Sequence, residues 1–197
     1  MTKAHLITLK IKDLEEIFGC EILRNVTSLG IDTASNTGWC IAKTDNEEVH
    51  LSVGFINIDV KNIKDKYQRN QLRYNAVYTH LKSLIKPEYR IVIENVFYGR
   101  NANTLIVLSR LGAIAWTIAK EKGCEVIKWR LACQARTILG LNGTAKKEVV
   151  VETINRWLNL KIENDDEIDA IVLAFNGLTE KEPNSIIRKP SKRRKKK

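Results

Sequence analysis

The stretch SLGIDTASNTGWCIAKTDNEEVHLSVGFINI, residues 28–58, decides the fold of this chain. It contains three runs rich in apolar and β-branched residues, each long enough for one strand. The first run, SLGIDTA, leads into a turn at Ser35 and Asn36, and the runs TGWCIAKT and VHLSVGFINI follow at short intervals. Three consecutive strands with short connections predict an antiparallel meander.

Beyond this meander the chain alternates between helical and strand patterns. The periodic apolar residues of about 62–85 predict an amphipathic helix that ends before Pro87, and the runs RIVIEN and CEVIKW predict a fourth and a fifth strand. Further helices are expected over 104–123, 131–139, 145–158 and 165–178, the first of them closed by Gly123. The order βββαβαβα predicts an α/β fold of the ribonuclease H-like type, a mixed five-stranded sheet flanked by helices.

Length and composition predict one domain with a substantial core, because 44% of the 197 residues are hydrophobic. We expect residues 1–26 to form an N-terminal extension with a short helix in KIKDLEEIF, and residues 27–181 to form the main domain. Neither a signal peptide nor an apolar stretch of roughly 20 residues is expected, which argues against a membrane protein. The four cysteines form no C-x-x-C pair, so an intracellular, reducing setting is expected.

The net charge of +10 is concentrated at the C-terminus, in the segment 182–197. Eight Lys or Arg residues and no acid lie between Arg188 and Lys197, which leaves +2 for the rest of the chain. Such a segment is too hydrophilic to fold alone and is expected to be disordered. It can neutralise phosphates without sequence preference, or it can serve as a solubilising tail or a localisation signal.

Two candidate functional residues, Asp32 and Glu94, stand at the ends of apolar strands. Burying a carboxylate there is costly unless another group compensates its charge. Asp32 either faces a cleft or forms an Asx-turn with its own backbone. Glu94 either belongs to a site or forms an ion pair with Arg90 or Arg100.

Two further acids, Asp166 and Asp169, are three positions apart and therefore share one face of the last predicted helix. The polar run that begins at Asn164 also suits a helix N-terminus, where capping and the helix dipole favour acids. Asp169 lies further into the helix, directly before AIVLAF, so capping explains it less well.

Four carboxylates of this kind suit a binuclear magnesium site. Phosphodiester hydrolysis needs a more acidic water and a stabilised leaving oxyanion, and two hard cations about 3.5–4 Å apart provide both. Magnesium prefers oxygen ligands and keeps part of its water shell. Clustered carboxylates also repel one another unless a cation neutralises them.

The motifs around these acids resemble the RuvC-type Holliday-junction resolvases. The resemblance covers about residues 28–180 and includes GIDTASNTGWCIA, IENVFYGRNANTLIVLSRLGAI and DDEIDAIVLA in the family's order. The segment E-x-V-F-x-x-x-N-A after Glu94 is its most restrictive part. The resemblance implies a crossover junction endodeoxyribonuclease that cuts four-way DNA junctions by paired symmetric nicks. It also implies that Asp32, Glu94, Asp166 and Asp169 are the catalytic carboxylates and the ligands of two Mg²⁺ ions, for which Mn²⁺ can substitute.

The same resemblance implies roles in DNA contact. Phe97 would insert at the junction crossover and stack on bases, although an ordinary core phenylalanine is the alternative. Lys147 would lie beside the scissile phosphate as a catalytic cation, and which of Lys146 and Lys147 reaches the site stays open. Arg100 and Arg136 are further expected DNA contacts. Arg136 follows Ala135 at a position where the family has a basic residue, so the contacts there can be rearranged.

The resemblance further implies a homodimer that is associated with DNA, in the cytoplasm or, for a viral protein, in the host cytoplasm or nucleus. The helix after Asn103 would be the dimer helix. Its small residues Gly112, Ala115 and Ala119 recur at helical spacing, which suits either a second helix or the protein's own sheet.

Three other functions are compatible with parts of the sequence. One is a ribonuclease H-like nuclease for forks, flaps or RNA–DNA hybrids. A second is a non-catalytic junction-binding protein, although retained acids near phosphates argue against it. A third is an actin-like ATPase, which needs a second glycine-rich phosphate loop and a longer chain.

Overall fold

The structure, a computed structural model, describes residues 5–34, 36–96 and 101–182. The Phe97 and Arg100 predictions and the basic C-terminal tail therefore lie outside the described residues. Six strands and six helices form in the described part, most of them where the sequence patterns predict them. The strands are β1 (His5–Lys10), β2 (Thr27–Asp32), β3 (Thr37–Thr44), β4 (Glu48–Ile56), β5 (Tyr89–Glu94) and β6 (Ile127–Arg130). The helices are α1 (Ile11–Phe18), α2 (Lys66–Leu84), α3 (Ala102–Glu121), α4 (Ala132–Ile138), α5 (Lys147–Leu158) and α6 (Asp165–Gly177).

The strands form one mixed sheet in the order β1-β4-β3-β2-β5-β6. The pairs β1/β4, β4/β3 and β3/β2 are antiparallel, whereas β2/β5 and β5/β6 are parallel. The predicted fold class, a mixed sheet flanked by helices, is confirmed. The predicted strand number is wrong, since the sheet has six strands in the described residues. The additional strand, β1, lies at the sheet edge, where its side chains are exposed or, at Ile7 and Leu9, only half-buried.

The residues before Thr27 share this sheet and its core. β1 pairs along its whole length with β4, from His5 opposite Val53 to Lys10 opposite Glu48. The helix predicted in KIKDLEEIF is present as α1. Its Phe18 is buried and meets Phe175 of α6 edge-on, with ring centroids 5.1 Å apart.

Helices cover both faces of the sheet, and β5 contributes to the core on each side. Val92 belongs to the apolar cluster formed with α1, α4, α5 and α6. Ile91 and Ile93 point to the other cluster, which α2 and α3 complete. Burial on both faces explains why RIVIEN is an almost unbroken apolar run.

One helix corrects a sequence-based expectation. α3 has 20 residues and is long and apolar enough to meet the length and composition of a membrane span, although no such stretch was expected. Core helices meet the same criteria. Leu111, Ala115 and Ile118 are fully or almost fully buried within the cluster that α3 shares with α2 and β5, so one face of α3 is part of the core.

Candidate active site

The two strand acids stand next to each other at one end of the sheet. β2 and β5 are parallel neighbours with Ile31 opposite Ile93, so Asp32 and Glu94 both follow this pair at the carboxyl ends of their strands. The Arg90 alternative for Glu94 does not hold, because Arg90 instead forms an ion pair of 2.6 Å with Glu180. The structure thus brings Asp32 and Glu94 to the same end of the sheet, and their membership in one metal site stays a prediction.

Asp32 is almost completely buried, with 2% of its surface exposed. Its Oδ1 atom has no hydrogen-bond partner in the part of the chain that the structure describes. A buried carboxylate oxygen without a donor is costly. It therefore fits a ligand atom better than a turn-forming group.

The two helix acids come from the first turns of α6. The side chain of Asn164 caps this helix by accepting hydrogen bonds from the backbone N–H groups of Asp166 and Glu167. Asp166 is thus not the capping residue, and its carboxylate is free for another role. Asp166 and Asp169 are both buried.

Two glycines bring α6 close enough to the sheet to complete the site. A Cβ atom on Gly38 of β3 would overlap the carbonyl oxygen of Asp166 and lie 2.6 Å from the carbonyl carbon. A Cβ atom on Gly30 of β2 would overlap backbone atoms of Ala170 and Ala174. Neither glycine has a positive φ, so both are needed for space and not for backbone conformation.

The carboxylates perturb one another electrostatically. Burial, and then a hydrogen bond and charge repulsion from Glu94, raise the pKa of Asp32 well above its usual value. The charges of Asp169 and Asp166 raise it further. Burial, followed by repulsion from Asp165, raises the pKa of Asp166 to about 6. The site concentrates negative charge that a cation would relieve, and carboxylate oxygens are the donors that hard divalent metal ions prefer.

Lys147, the first residue of α5, reaches the same cluster. Its Nζ atom lies 2.8 Å from Asp165 Oδ2, 3.5 Å from Asp169 Oδ2 and 3.9 Å from Asp166 Oδ1. Burial alone lowers the pKa of Lys147, but the hydrogen bond with Asp165 and the charges of the other acids raise it overall. The neighbouring Lys146 makes no ion pair within the described residues, so Lys147 is the lysine at the site.

Arg136 lies inside the site rather than on an open surface. It belongs to α4 and is 8% exposed. One terminal nitrogen donates to Asp169 Oδ1 over 3.1 Å and the other donates to the carbonyl oxygen of Ala145 over 3.2 Å. The sequence predicts a DNA contact at this position, but nothing in the run CQART indicates a partner 33 residues away.

A separate group of possible ligands lies at the other end of β3. Side-chain atoms of Asp45, Glu48 and His50 are within 4.8 Å of one another. Asp45 Oδ1 already accepts hydrogen bonds from the backbone N–H groups of Glu47 and Glu48, and Oδ2 lies 3.3 Å from His50. These bonds account for the group as a turn between β3 and β4.

A mixed six-stranded sheet with acids at the ends of two parallel central strands, completed by acids from the last helix, defines the class of ribonuclease H-like, metal-dependent nucleases. Comparison with known proteins narrows the class. The family model for the crossover junction endodeoxyribonuclease RuvC matches residues 28–176. The chain belongs to the RuvC family.

Curated relatives and solved structures agree with this assignment. The chain is 29% identical over 149 residues to the crossover junction endodeoxyribonuclease RuvC of Bdellovibrio bacteriovorus. The aligned region covers 74% of this chain and 86% of that protein. It is 28% identical to the RuvC protein of Baumannia cicadellinicola, covering 75% of this chain and 83% of that protein. The structure of Thermus thermophilus RuvC in complex with a Holliday junction substrate shares the fold, with a TM-score of 0.58, 17% identity and coverage of 76% and 91%.

Proposed function

We propose that this protein is a magnesium-dependent endodeoxyribonuclease that resolves four-way DNA junctions by paired symmetric nicks. The observation that carries the proposal is the convergence of Asp32, Glu94, Asp166 and Asp169, with the buried Oδ1 of Asp32 unpaired in the described residues. Membership in the RuvC family supports the choice of substrate. The protein would then work in association with DNA.

The four carboxylates would hold two Mg²⁺ ions, with Mn²⁺ as a substitute. Such ions, when bound, make water more acidic and stabilise the leaving oxyanion. Asp32 and Glu94 are fixed by the sheet, and Asp166 and Asp169 are fixed by α6, so the ligand oxygens are held in place before DNA binds. The half-exposed Lys147 can turn from Asp165 to a phosphate oxygen and stabilise its charge.

A basic groove between α2 and α3 offers a path for the DNA backbone. Lys66, Arg69 and Arg73 share one face of α2 and line a cavity of about 330 Å³ opposite the N-terminal end of α3. None of these three cations has an acidic partner within 4.0 Å in the described chain. Seven Cα-to-Cα steps separate Glu94 from Asn101, so the groove starts within about 25 Å of Glu94. Phosphates bound in this groove would therefore lie within reach of the site. Phe97 belongs to the connection between the two.

We propose a homodimer because two opposed strands require two sites, and the outward face of α3 suits the contact. Ile106 and Trp116 are exposed by 47% and 42% on this face. The small residues predicted for helix contact lie elsewhere. Gly112 abuts Trp129, and Ala115 and Ala119 are fully buried against the protein's own core.

The double substitution Ile106→Glu and Trp116→Glu is therefore expected to convert the dimer into a monomer, because it places charges in an apolar contact. Light scattering coupled to size exclusion would measure the mass, and junctions would be nicked singly and no longer in pairs. Leu6→Glu is the matched control, since Leu6 is 82% exposed on β1. A dimer that survives the double substitution, or that dissociates with Leu6→Glu, would contradict this interface.

The test of the proposed function is a cleavage panel with Mg²⁺. The protein is expected to cut a four-way junction in both opposed strands, leaving 5′-phosphate and 3′-hydroxyl ends, at a rate at least tenfold above those for forks, flaps and RNA–DNA hybrids. Equal or faster cleavage of hybrids would favour the ribonuclease H-like alternative. Tight junction binding without cleavage in Mg²⁺ or Mn²⁺ would favour a junction-binding protein.

A further inference from the structure

Arg136 is a buried cation beside Asp169, one acid of the carboxylate site. It starts on α4, donates to the loop before α5 through Ala145, and reaches α6 through Asp169. One side chain thus joins three segments, of which only α6 is distant in sequence. Lys147, by contrast, is half exposed and contacts the acids from the rim.

The burial of Arg136 is costly and is only partly compensated. Its Nε atom has no hydrogen-bond partner among the described residues. A buried ion pair seldom stabilises a fold more than well-packed apolar groups would. The burial of this guanidinium, whose Nε donor has no partner in the described residues, is better explained by its effect on the orientation of Asp169.

The two oxygens of Asp169 have different surroundings. Oδ1 accepts from Arg136 at 3.1 Å, whereas Oδ2 lies 3.5 Å from the Lys147 ammonium, which also approaches Asp166. A hydrogen bond that fixes Oδ1 also fixes the plane of the carboxylate. Oδ2 is thereby directed toward Lys147, which also contacts Asp165 and Asp166.

We propose that Arg136 is a positioning residue, which orients the carboxylate of Asp169 for catalysis and does not contact DNA. The inference rests on the proposed nuclease function. The resemblance to the RuvC family predicts a DNA contact for Arg136. A role in orienting Asp169 goes beyond that prediction.

The test compares Arg136→Gln with Arg90→Gln. Arg90 has a similar bonding pattern, since it donates to the carbonyl oxygen of Gly177 over 2.7 Å and pairs with Glu180. It stands at the opposite end of β5 from Glu94, so it reports the effect of losing a similar arginine away from the site. Both variants are measured for melting temperature, junction affinity without metal, kcat at saturating junction and Mg²⁺, and Mg²⁺ affinity by calorimetry.

Arg136→Gln is expected to lower kcat at least tenfold and to leave junction affinity within twofold of wild type. Mg²⁺ binding is expected to stay as tight or to become tighter, because the removed charge repels the metal. Arg136→Lys keeps the charge but not the two-pronged geometry, so an intermediate kcat is expected. Arg90→Gln is expected to melt earlier but to keep its kcat.

Three results would overturn the inference. They are a kcat of Arg136→Gln within twofold of wild type, a junction affinity that falls with a shallower salt dependence, and equal losses of kcat in Arg90→Gln and Arg136→Gln. If Arg136→Gln does not fold, the same comparison is made with Arg136→Lys. If the nuclease proposal is wrong, the wild type itself will not cut junctions. Calorimetry of the wild type and of Arg136→Gln would still show how Arg136 affects Mg²⁺ binding.

Discussion

Asp32→Asn is expected to reduce junction cleavage by about 10³-fold or more while junction binding is retained. Asparagine has the same shape as aspartate, but it lacks the charge that a metal ligand supplies. The expected factor corresponds to about 4 kcal/mol of lost transition-state stabilisation, within the range that metal catalysis provides. Single-turnover cleavage and binding of a four-way junction by the same preparation would measure the two effects.

The same substitution should stabilise the metal-free protein at neutral pH. The pKa of Asp32 is raised in the folded state by burial and by Glu94, so ionisation of this group opposes folding. For an acid whose pKa is raised by folding, the free energy of unfolding is highest below the unfolded pKa of about 4. It decreases as the pH rises through the folded pKa. Asp32→Asn removes this loss, so its free energy of unfolding should exceed that of the wild type at pH 7 and approach it at pH 4.

Asp45→Asn is the matched control for this prediction. Asp45 belongs to the other group of possible ligands, and hydrogen bonds from the backbone N–H groups of Glu48 and Glu47 lower its pKa. Its replacement should leave cleavage intact and should not raise stability. Cleavage that persists in Asp32→Asn, or that disappears in Asp45→Asn, would place the metal-dependent chemistry elsewhere.

The sequence predicts those features whose signal is local. β2 and β5 were predictable because their apolar runs are buried on both faces, and the acids at their ends followed directly. The spacing of Asp166 and Asp169 predicts one helix face from two residues alone. These local patterns account for the fold class and for the four carboxylates.

Features that depend on distant partners were missed. β1 is a strand because it pairs with the edge of β4, whose residues lie 38 to 48 positions later, and its own side chains are largely exposed. The role of Arg136 depends on a partner in α6. The small residues of α3 point inward because Trp129 and the β5 side chains lie on that side, which no pattern within α3 could indicate.

For the same reason, the sequence does not indicate which of the neighbouring residues Lys146 and Lys147 reaches the acids. Lys146 is the N-cap of α5 and Lys147 is its first helical residue. Only the rotation of α5 relative to α6 decides which ammonium faces the acids. That rotation is set by Val150 and Ile154, which are buried in the shared core, and not by the lysines themselves.

Gly38→Ala is the second substitution for which we expect a large loss of cleavage, because α6 lies very close to the sheet at Gly38. The added methyl group would overlap the backbone of Asp166, which cannot rotate away as a side chain could. α6 must shift, and both of its acids move with it. Overpacking of this kind costs about 1–3 kcal/mol, and a displacement of about 1 Å in a catalytic site can lower the rate about 10²-fold.

Urea unfolding and kcat would show whether Gly38→Ala acts on both stability and cleavage. Gly112→Ala is the matched control, because its new methyl group would meet only side-chain atoms of the partly exposed Trp129, at 3.0 Å, and of Ile93, and because alanine favours a helix. We expect this control to cut junctions at a rate close to that of the wild type. A Gly38→Ala variant with unchanged kcat would mean that α6 can move away from β3 without displacing Asp166 and Asp169 from Asp32. The close contact at Gly38 would then serve packing alone, and the placement of the helix acids would have to depend on Gly30 and on the Arg136 contact.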